Sequence, residues 1–530
     1  MNYRFVLVFF VCSVCVIACN NKRGNNVERD TSVTIVTSFN NLFLDSAQLK
    51  KFLSTHDEYK NYKKQFADFY RERNYEYAWF DSSGLGEQAA NFINLLNNTI
   101  SNFEDSNFYN KKLYDAYSSF TNNNGIKHRY REVLNTELLL TGQFFTYADK
   151  IYRGTDSDVA SLGWFIPRKK INVAAILDSV ISSKKQADEF APVSEQYKKL
   201  QSFIPKYFSL QKLNWDSIAK PDKALHVGDE YKIVFKIKDR LSKLGDLEHN
   251  DSTKIFDTAL LRAIKKFQRR MGLGVDGVIG AKMIDELNIT PAQRIQQIYV
   301  NLERLRWMPA ENEPRRIFVN IPEYKMYVYD SSKLSFTMNV IVGTAANSTV
   351  IFSGNLKYIV FSPYWRLPVK IVKTEILPEM KKDTGYLRKH NMERIGGRDT
   401  LPAIRQKPGD DNSLGRVKFL FPNNYDIYFH DTPNKDLFTA SNRSFSHGCI
   451  RVGDPKHLAE FLLQSDTTWN SYRIDTCMKA TKETWVGLQH SVPVVIGYFT
   501  AWVDSNGVLN FRKDIYGHDE KLAGKLFAKQ

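Results

Sequence analysis

One cysteine of the chain lies among the residue types that thiol chemistry requires. Cys449 belongs to the segment SHGCIRV, residues 446–452, and His430 stands sixteen residues before the serine of that segment. A thiol becomes a nucleophile when a base removes its proton, and the imidazole of histidine does this near neutral pH. The residue types and their spacing therefore predict that Cys449 is a nucleophile and that His430 is its base.

An alternating run predicts the element that positions this histidine. Residues 425–430 read YDIYFH, so Asp426, Tyr428 and His430 share one face of a strand. His430 is then expected to leave the sheet edge toward a cleft. Residues 431–445 are rich in turn-forming types and form a loop long enough to bring the cysteine back beside His430.

Three neighbours of Cys449 have interpretations of their own. Gly448 lets backbone N–H groups approach a substrate oxygen closely, as an oxyanion hole requires. Arg451 places a cation two residues beyond the thiol, where it lowers the pKa of the thiol or holds a carboxylate. His447 is interpreted as a structural hydrogen-bond partner.

Zinc binding is an alternative function for this site, since two histidines and a cysteine can bind zinc, but no fourth ligand with metal spacing is evident. We therefore expect no metal and no cofactor.

Length and composition indicate a globular protein of several domains. The 530 residues suffice for roughly two to four domains, and an aromatic content of 13% allows large cores. The formal net charge of +16 would suit a polyanionic partner, but the basic residues are dispersed and no nucleic-acid-binding motif is evident. Only Cys449 and Cys477 follow the first twenty residues, so no disulfide framework is expected, and a bond between these two would consume the proposed nucleophile.

The first nineteen residues resemble a bacterial lipoprotein signal. A basic residue precedes an apolar stretch from Phe5 to Ile17, and the stretch ends in the lipobox-like sequence VIAC, residues 16–19. It is shorter than the roughly twenty apolar residues of a transmembrane helix. The resemblance implies that residues 1–18 are removed, that Cys19 is lipidated and that residues 19–35 form a flexible tether. We therefore expect a membrane-anchored protein of the cell envelope, in the periplasm.

The next part of the chain shows helical periodicity. Residues 36–220 predict a helical scaffold, and residues 291–312 predict a linker helix. Between them, residues 228–290 predict three short helices around a glycine-rich turn. Within this segment, KKFQ at 265–268 and DGVIG at 276–280 resemble the peptidoglycan-binding type-1 module. A packing spacer without binding function is the alternative interpretation.

Toward the carboxyl end of the chain, apolar residues recur at every second position. Residues 313–500 predict a mainly-β domain, followed by a C-terminal segment at 501–530. An insertion at 371–416 interrupts the strands. It predicts helix to about Ile395 and loop from about Gly396 onward. Because it precedes the site in sequence, we interpret it as a lid, with a surface excursion of no function as the alternative.

The histidine and the SHGCIRV segment together resemble the signature of the L,D-transpeptidase family. The resemblance is closest to the large multidomain Gram-negative type, which has a scaffold, a peptidoglycan-binding module and a capped catalytic domain. The lipobox departs from this type. The fold class expected is thus multidomain α+β, with a mainly-β catalytic domain and a helical and loop-rich capping insertion. The supporting stretches are SPYWRLP (362–368), IRQKPG (404–409), LGRVKFLFPN (414–423), HDTP (430–433) and TAWVD (500–504).

The resemblance implies a role for each site residue. Cys449 would be the nucleophile and His430 the general base and acid, with the imidazole oriented by the backbone carbonyl of Asp431. The N–H groups of Gly448 and Cys449 would form the oxyanion hole. Supporting or substrate-binding roles are implied for five further residues: Tyr428, Trp365, Ser446, His447 and Arg451.

The implied reaction joins two stem peptides of peptidoglycan. Cys449 would attack the carbonyl of the third residue of a tetrapeptide stem and release D-Ala, and a side-chain amine of a second stem would take the acyl group as a 3→3 cross-link. Carbapenems are expected to acylate the same thiol. Two alternatives stay open. One is an L,D-carboxypeptidase, in which water replaces the acceptor amine, and the other is a non-catalytic peptidoglycan-binding lipoprotein.

Overall fold

The computed structural model describes residues 42–103, 106–121, 125–155, 158–182, 192–309 and 313–527. The expected signal peptide, the lipidation site Cys19 and the tether all lie outside these residues. No helix within the described ranges is long and apolar enough to cross a membrane. The chain divides into two units, of which the first comprises residues up to 98 together with 106–148 and 172–190. The second unit contains most of the remaining chain, including residues 149–171 and 191–530.

The first unit is helical, as the sequence predicts. Its longest fully included helix, α5, is buried on nearly every side, and the buried Glu137 on it binds neighbouring segments. The carboxylate of Glu137 accepts hydrogen bonds from the Tyr70 hydroxyl at 2.8 Å and from the N–H groups of Ala78 and Trp79 at 2.6 and 2.9 Å. These bonds satisfy a buried acid, which indicates a structural role. The elements of this region are α1 (Ser46–Thr55), α2 (Lys63–Glu72), β1 (Phe80–Asp81), β2 (Gly84–Leu85), α3 (Glu87–Phe103), α4 (Lys111–Thr121), α5 (Tyr130–Ala148) and α6 (Val173–Ser182).

The second unit includes the predicted three-helix module. Its helix α9 ends at Gly245, whose φ of 86° is the left-handed conformation that glycine adopts at low cost. The apolar side chains expected to face inward, including Leu260, Phe267 and Ile284, are fully buried. The three-helix prediction is therefore confirmed. The helices up to this point are α7 (Glu195–Gln201), α8 (Ile204–Gln211), α9 (Lys232–Leu244), α10 (Thr258–Arg270) and α11 (Ala281–Asn288).

The helix predicted as a linker is instead a buried element of the second unit. Helix α12 spans Pro291–Trp307 and begins with a capping box at Thr290. Its Asn301 side chain exchanges hydrogen bonds with Thr500, and its Arg304 pairs with Asp519 at 2.5 Å. The helix and its end near Trp307 are as predicted, and its burial is an addition, because apolar periodicity marks a helix without showing how many of its sides are covered.

The catalytic half of the chain is a closed sheet. The strands follow the order β11-β12-β14-β6-β5-β4-β15-β7, and β7 also pairs with β11, which completes a barrel. A short strand from the earlier chain, β3, joins β7 in parallel, and β13 pairs with β6. The strands are β3 (Trp164–Phe165), β4 (Arg316–Asn320), β5 (Lys325–Asp330), β6 (Lys333–Gly343), β7 (Ile351–Phe361), β8 (Trp365–Arg366), β9 (Met392–Arg398), β10 (Leu401–Gln406), β11 (Val417–Leu420), β12 (Phe429–His430), β13 (Ser444–Ser446), β14 (Ile450–Val452) and β15 (Thr484–Gly497).

The insertion before the site has an apolar core of its own. Helices α13 (Val369–Ile371), α14 (Leu377–Lys382) and α15 (Tyr386–Lys389) form its first part, and a π-helical turn, Val372–Ile376, joins α13 to α14. The second part is not the predicted loop, because β9 and β10 form an antiparallel hairpin that continues onto β8. Its outer strand is largely exposed, so the sequence lacks the apolar alternation that identifies a strand.

The C-terminal segment packs into the second unit and is not an appendage. Strands β16 (Ala501–Val503) and β17 (Leu509–Phe511) form a hairpin, and Leu522 of the last helix belongs to the core of the barrel. The remaining helices are α16 (Pro455–Leu463), α17 (Ser471–Met478) and α18 (His518–Leu526).

Candidate active site

The strand that carries His430 is shorter than predicted. Only Phe429 and His430 are extended, because Asp426 has a φ of 55° and interrupts the alternating run. Nor does this strand form an edge, since β12 lies between β11 and β14. Phe429 pairs with Ile450 and faces the core, whereas His430 pairs with Arg451 on the opposite face. His430 thus lies on the face opposite the core residue Phe429, as the alternation predicts, but it does not leave a sheet edge, and the neighbouring strands determine its direction.

The surroundings of His430 fix both its protonation state and its tautomer. Its Nδ1 lies 2.5 Å from the carbonyl oxygen of Asp431, and a carbonyl only accepts hydrogen bonds, so Nδ1 carries the proton. Burial lowers the pKa of His430 to about 3, with a further lowering by the charge of Arg451. The imidazole is therefore neutral near pH 7, with Nε2 free to accept a proton.

The carboxylate of Asp431 holds the backbone that orients His430. One carboxylate oxygen accepts the N–H of Arg416 at 2.8 Å, and the other pairs with Lys435. Gly415 lies against this carboxylate with a φ of 62°, and a Cβ atom at that position would overlap it. The sequence predicts a role only for the Asp431 carbonyl, and the structure adds that the buried side chain of the same residue anchors this peptide.

The thiol of Cys449 donates a hydrogen bond to the carbonyl oxygen of Asp426 at 3.4 Å and contacts the hydroxyl group of Tyr428. Burial raises its pKa to about 11, although the bonds with Tyr428 and the charge of Arg451 act in the opposite direction. The charge of Arg451 lowers the pKa of this thiol, as the sequence predicts, but burial raises that pKa by more. The resting thiol is protonated, and it hydrogen bonds with Asp426 and not with His430.

The turn before the thiol is held by Ser446. Its hydroxyl donates to the carbonyl oxygen of Cys449 at 2.5 Å and accepts the N–H of Gly448 at 3.1 Å. The Gly448 N–H is therefore engaged within the turn, contrary to its predicted place in the oxyanion hole. The N–H of Cys449 donates to no atom in the described part of the chain. Gly448 has a φ of 116°, so the requirement for glycine here is conformational.

The remaining predicted residues occupy different places around the turn. Arg451 is on the same face as His430, and its buried Nε has no hydrogen-bond partner among the described residues. His447 is exposed, and its Nε2 lies 3.2 Å from Glu375 on the π-helical turn of the insertion. Trp365 packs against the apolar core of the insertion. The structure thus places Tyr428 and Arg451 near the thiol and His430 beside both of them, with its ring centroid 5.8 Å from that of Tyr428, while Trp365 belongs to the cap.

Two residues that the sequence did not single out support the turn. Thr349 donates from its hydroxyl to the carbonyl oxygen of Gly448 at 2.8 Å, and its own N–H donates to the hydroxyl of Tyr516 at 3.3 Å. Tyr516 in turn donates to the carbonyl oxygen of Gly343 at 2.6 Å. Thr349 and Tyr516 are far from the cysteine turn and from each other in sequence, so no local spacing could have identified them.

Cys449 and Cys477 are both free thiols. No group of three or more His, Cys, Asp or Glu side chains within the described ranges is arranged to hold a metal ion.

Comparisons with known proteins agree with this architecture. Residues 314–496 match the family described as "L,D-transpeptidase catalytic domain", residues 64–203 match "Scaffold domain", and residues 231–287 match "Putative peptidoglycan binding domain". The barrel with its cysteine turn is thus an L,D-transpeptidase catalytic domain. The chain as a whole resembles L,D-transpeptidases in this domain, and it carries a scaffold and a peptidoglycan-binding module beside it.

Individual relatives cover parts of the chain. A Haemophilus influenzae protein named "Putative L,D-transpeptidase" is 34% identical over 253 residues, which are 45% of this chain and 50% of that protein. The chain thus spans about half the length of this curated relative. An L,D-transpeptidase from Stackebrandtia nassauensis is 14% identical, with a TM-score of 0.22, over 53% of this chain and 98% of its own. One from Mycobacterium smegmatis is 11% identical, with a TM-score of 0.20, over 35% and 58% of the two chains.

Proposed function

We propose that this protein forms 3→3 cross-links in peptidoglycan through a thioester on Cys449. The observation that carries the proposal is that His430 ends β12 while Cys449 immediately precedes the neighbouring strand β14, within an L,D-transpeptidase catalytic domain. The neutral imidazole, with its proton held on Nδ1, leaves Nε2 as the base. The peptidoglycan-binding module and the catalytic domain in one unit support the same polymer as substrate.

The first half-reaction transfers the acyl group to the enzyme. The thiol turns from the Asp426 carbonyl toward His430, Nε2 takes its proton, and sulfur attacks the carbonyl carbon of the third stem residue. The amide C–N bond breaks, and D-Ala leaves with the proton returned by His430. The N–H of Cys449 is the donor available to the developing oxyanion, and Arg451 supplies a cation for a carboxylate of the stem. Tyr428 lines the same face.

The second half-reaction regenerates the enzyme. The side-chain amine of an acceptor stem attacks the thioester carbon, the C–S bond breaks, and His430 transfers the proton of the amine to sulfur. If water attacks instead, the same intermediate gives a trimmed tripeptide stem. The acyl-enzyme is common to both outcomes, so products distinguish them.

The test compares two cysteine variants of the full chain. With a disaccharide-tetrapeptide as substrate, mass spectrometry should detect free D-Ala and a 3→3 dimer from the parent chain and from Cys477→Ala, but not from Cys449→Ala. A carbapenem should add its mass to the peptide that contains Cys449 and leave Cys477 unmodified. Undiminished dimer from Cys449→Ala would overturn the mechanism. Trimmed monomer without dimer would establish a carboxypeptidase. Binding to sacculi without either product would establish a non-catalytic peptidoglycan-binding protein.

We also propose that lipidated Cys19 anchors the protein to a membrane on the periplasmic side. The proposal rests on the lipobox-like sequence, in which Cys19 follows a small residue at the end of a short apolar stretch. Labelled palmitate should be incorporated by the full chain and by Cys15→Ser, but not by Cys19→Ser. Equal incorporation in both variants would contradict the assignment.

A further inference from the structure

An aromatic pair is exposed on the outer face of the catalytic barrel. Trp485 is 56% exposed and Tyr358 is 40% exposed, and their ring centroids lie 6.2 Å apart. Side chains of this size are ordinarily buried, and an exposed tryptophan beside a second ring is a surface suited to a flat ligand.

Strand pairing places this pair in line with the active site. Trp485 pairs with Val360, Val360 with Lys418, Lys418 with His430, and His430 with Arg451. Directly paired residues project on the same face of a sheet, so all five side chains lie on the face of the barrel to which His430 and Arg451 belong. Neighbouring strands are about 4.8 Å apart, so the backbone of Trp485 is three strand steps, about 14 Å, from that of His430.

Polar groups also link the aromatic pair to the row of paired residues that runs from Trp485 to Arg451. The indole N–H of Trp485 donates to Glu483 at 2.8 Å, which fixes the ring, and Lys418 Nζ lies 5.6 Å from the ring centroid. Lys418 is largely buried, and its nearest acid oxygen, on Glu483, is 3.6 Å away. Burial lowers the pKa of Lys418, which indicates incompletely compensated charge.

We propose that Trp485 and Tyr358 bind an amino sugar of the glycan strand to which the donor stem is attached. This inference rests on the proposed function. Three extended residues span about 10 Å, and the lactyl ether adds to that reach. A stem whose third carbonyl lies at the thiol therefore brings its sugar to the region between Lys418 and Trp485.

Charge gives the direction in which the stem lies. The carboxylate of the departing D-Ala is on the carboxyl side of the reacting carbonyl, and Arg451, with its unpartnered Nε, is on the side of His430 away from Lys418. The carboxyl end of the stem therefore lies toward Arg451 and the sugar end toward Trp485. The sugar ring stacks on the indole, and this contact excludes water from its apolar face.

Binding by Cys449→Ala chains measures the contribution of the sugar without turnover. By titration calorimetry, the disaccharide-tetrapeptide should bind roughly tenfold more tightly than the free tetrapeptide, equivalent to about 1.4 kcal/mol. Adding Trp485→Ala should remove this difference and leave the affinity for the free tetrapeptide unchanged. Trp485→Phe should keep part of it. Tyr472→Ala, which removes an aromatic side chain that is 80% exposed on α17, is the matched control and should keep all of it.

The outcomes separate the two proposals. Equal affinities for the two ligands in the Cys449→Ala chain, or an undiminished difference after Trp485→Ala, would overturn the sugar site and leave the stem-binding function standing. Failure of both ligands to bind the Cys449→Ala chain, together with no product from the parent chain, would overturn both. Circular dichroism of each variant verifies that it is folded.

Discussion

His430 Nδ1 lies 2.5 Å from the carbonyl oxygen of Asp431, the residue that follows it in the chain. A contact between sequence neighbours costs little conformational entropy, and this one determines which imidazole nitrogen carries the proton. The Asp431 carboxylate, held by Arg416 and Lys435, keeps the peptide in place. His430 is thus held in one orientation and one tautomer, while the thiol of Cys449 is protonated and directed toward Asp426.

The low pKa of His430 predicts the acid limit of activity. With a pKa of about 3, the imidazole stays neutral far below the ordinary value near 6.5. The value of kcat/KM should therefore stay within about twofold between pH 5 and pH 7, because this ratio reports the free enzyme. Steady-state rates of D-Ala release across pH 4–8 measure this. An acid limb centred near pH 6.5 would contradict the assignment of a buried, neutral base.

The same shift predicts a dependence of stability on pH. The unfolded chain protonates His430 below about pH 6.5, whereas the folded chain does so only near pH 3, so the unfolded state binds more protons in between. Stability should fall as pH decreases through this window, by a few kcal/mol at most. His430→Gln should show a shallower slope in urea unfolding between pH 6.5 and pH 4. His518, whose pKa is also lowered, to about 4, contributes a slope of the same sign to both chains.

The high pKa of Cys449 predicts slow alkylation of the resting protein. Only the thiolate reacts, so the rate of iodoacetamide labelling at Cys449 should keep increasing with pH past 9, toward the value of about 11. Tyr428→Phe removes a hydroxyl that lowers this pKa, so labelling at pH 9 should slow by a few-fold. Mass spectrometry of the separate Cys449 and Cys477 peptides gives both rates from one sample. An unchanged Cys449 rate in Tyr428→Phe would exclude the hydroxyl contact.

The approach of Gly415 to Asp431 predicts a substitution that impairs the site. Gly415→Ala adds a methyl group that overlaps the Asp431 carboxylate, in addition to the left-handed strain of a φ of 62°. Gly507→Ala is a matched control, since Gly507 also has a positive φ, 76°, but nothing lies within 4 Å of an added Cβ. We expect roughly 1 kcal/mol of destabilisation for Gly507→Ala and a clearly larger loss for Gly415→Ala.

Activity provides a second readout for this pair. Gly415→Ala should reduce kcat as well as stability, because the displaced Asp431 peptide no longer orients His430. Gly507→Ala should leave kcat unchanged. Equal effects of the two substitutions on unfolding and on kcat would show that only backbone strain matters at Gly415.

Elements whose apolar pattern repeats over several residues could be predicted from the sequence. The apolar alternation of β4 to β7 and the inward faces of α9 to α11 were predictable because burial on one side imposes a period on the chain. Cys449 and His430 could be singled out as candidates because thiol chemistry requires those residue types. The exposed hairpin of β9 and β10 was missed, since exposed strands carry no such period.

The contacts within the site could not be predicted from the sequence and depend on the tertiary structure. The left-handed Asp426 shortened β12 and turned its carbonyl toward the thiol, and the Ser446 hydroxyl engaged the Gly448 N–H. Burial set the two pKa values in directions that sequence neighbours could not reveal, because desolvation depends on all the elements packed around a group. The row from Trp485 to Arg451 likewise exists only through strand pairing, which joins residues far apart in the chain.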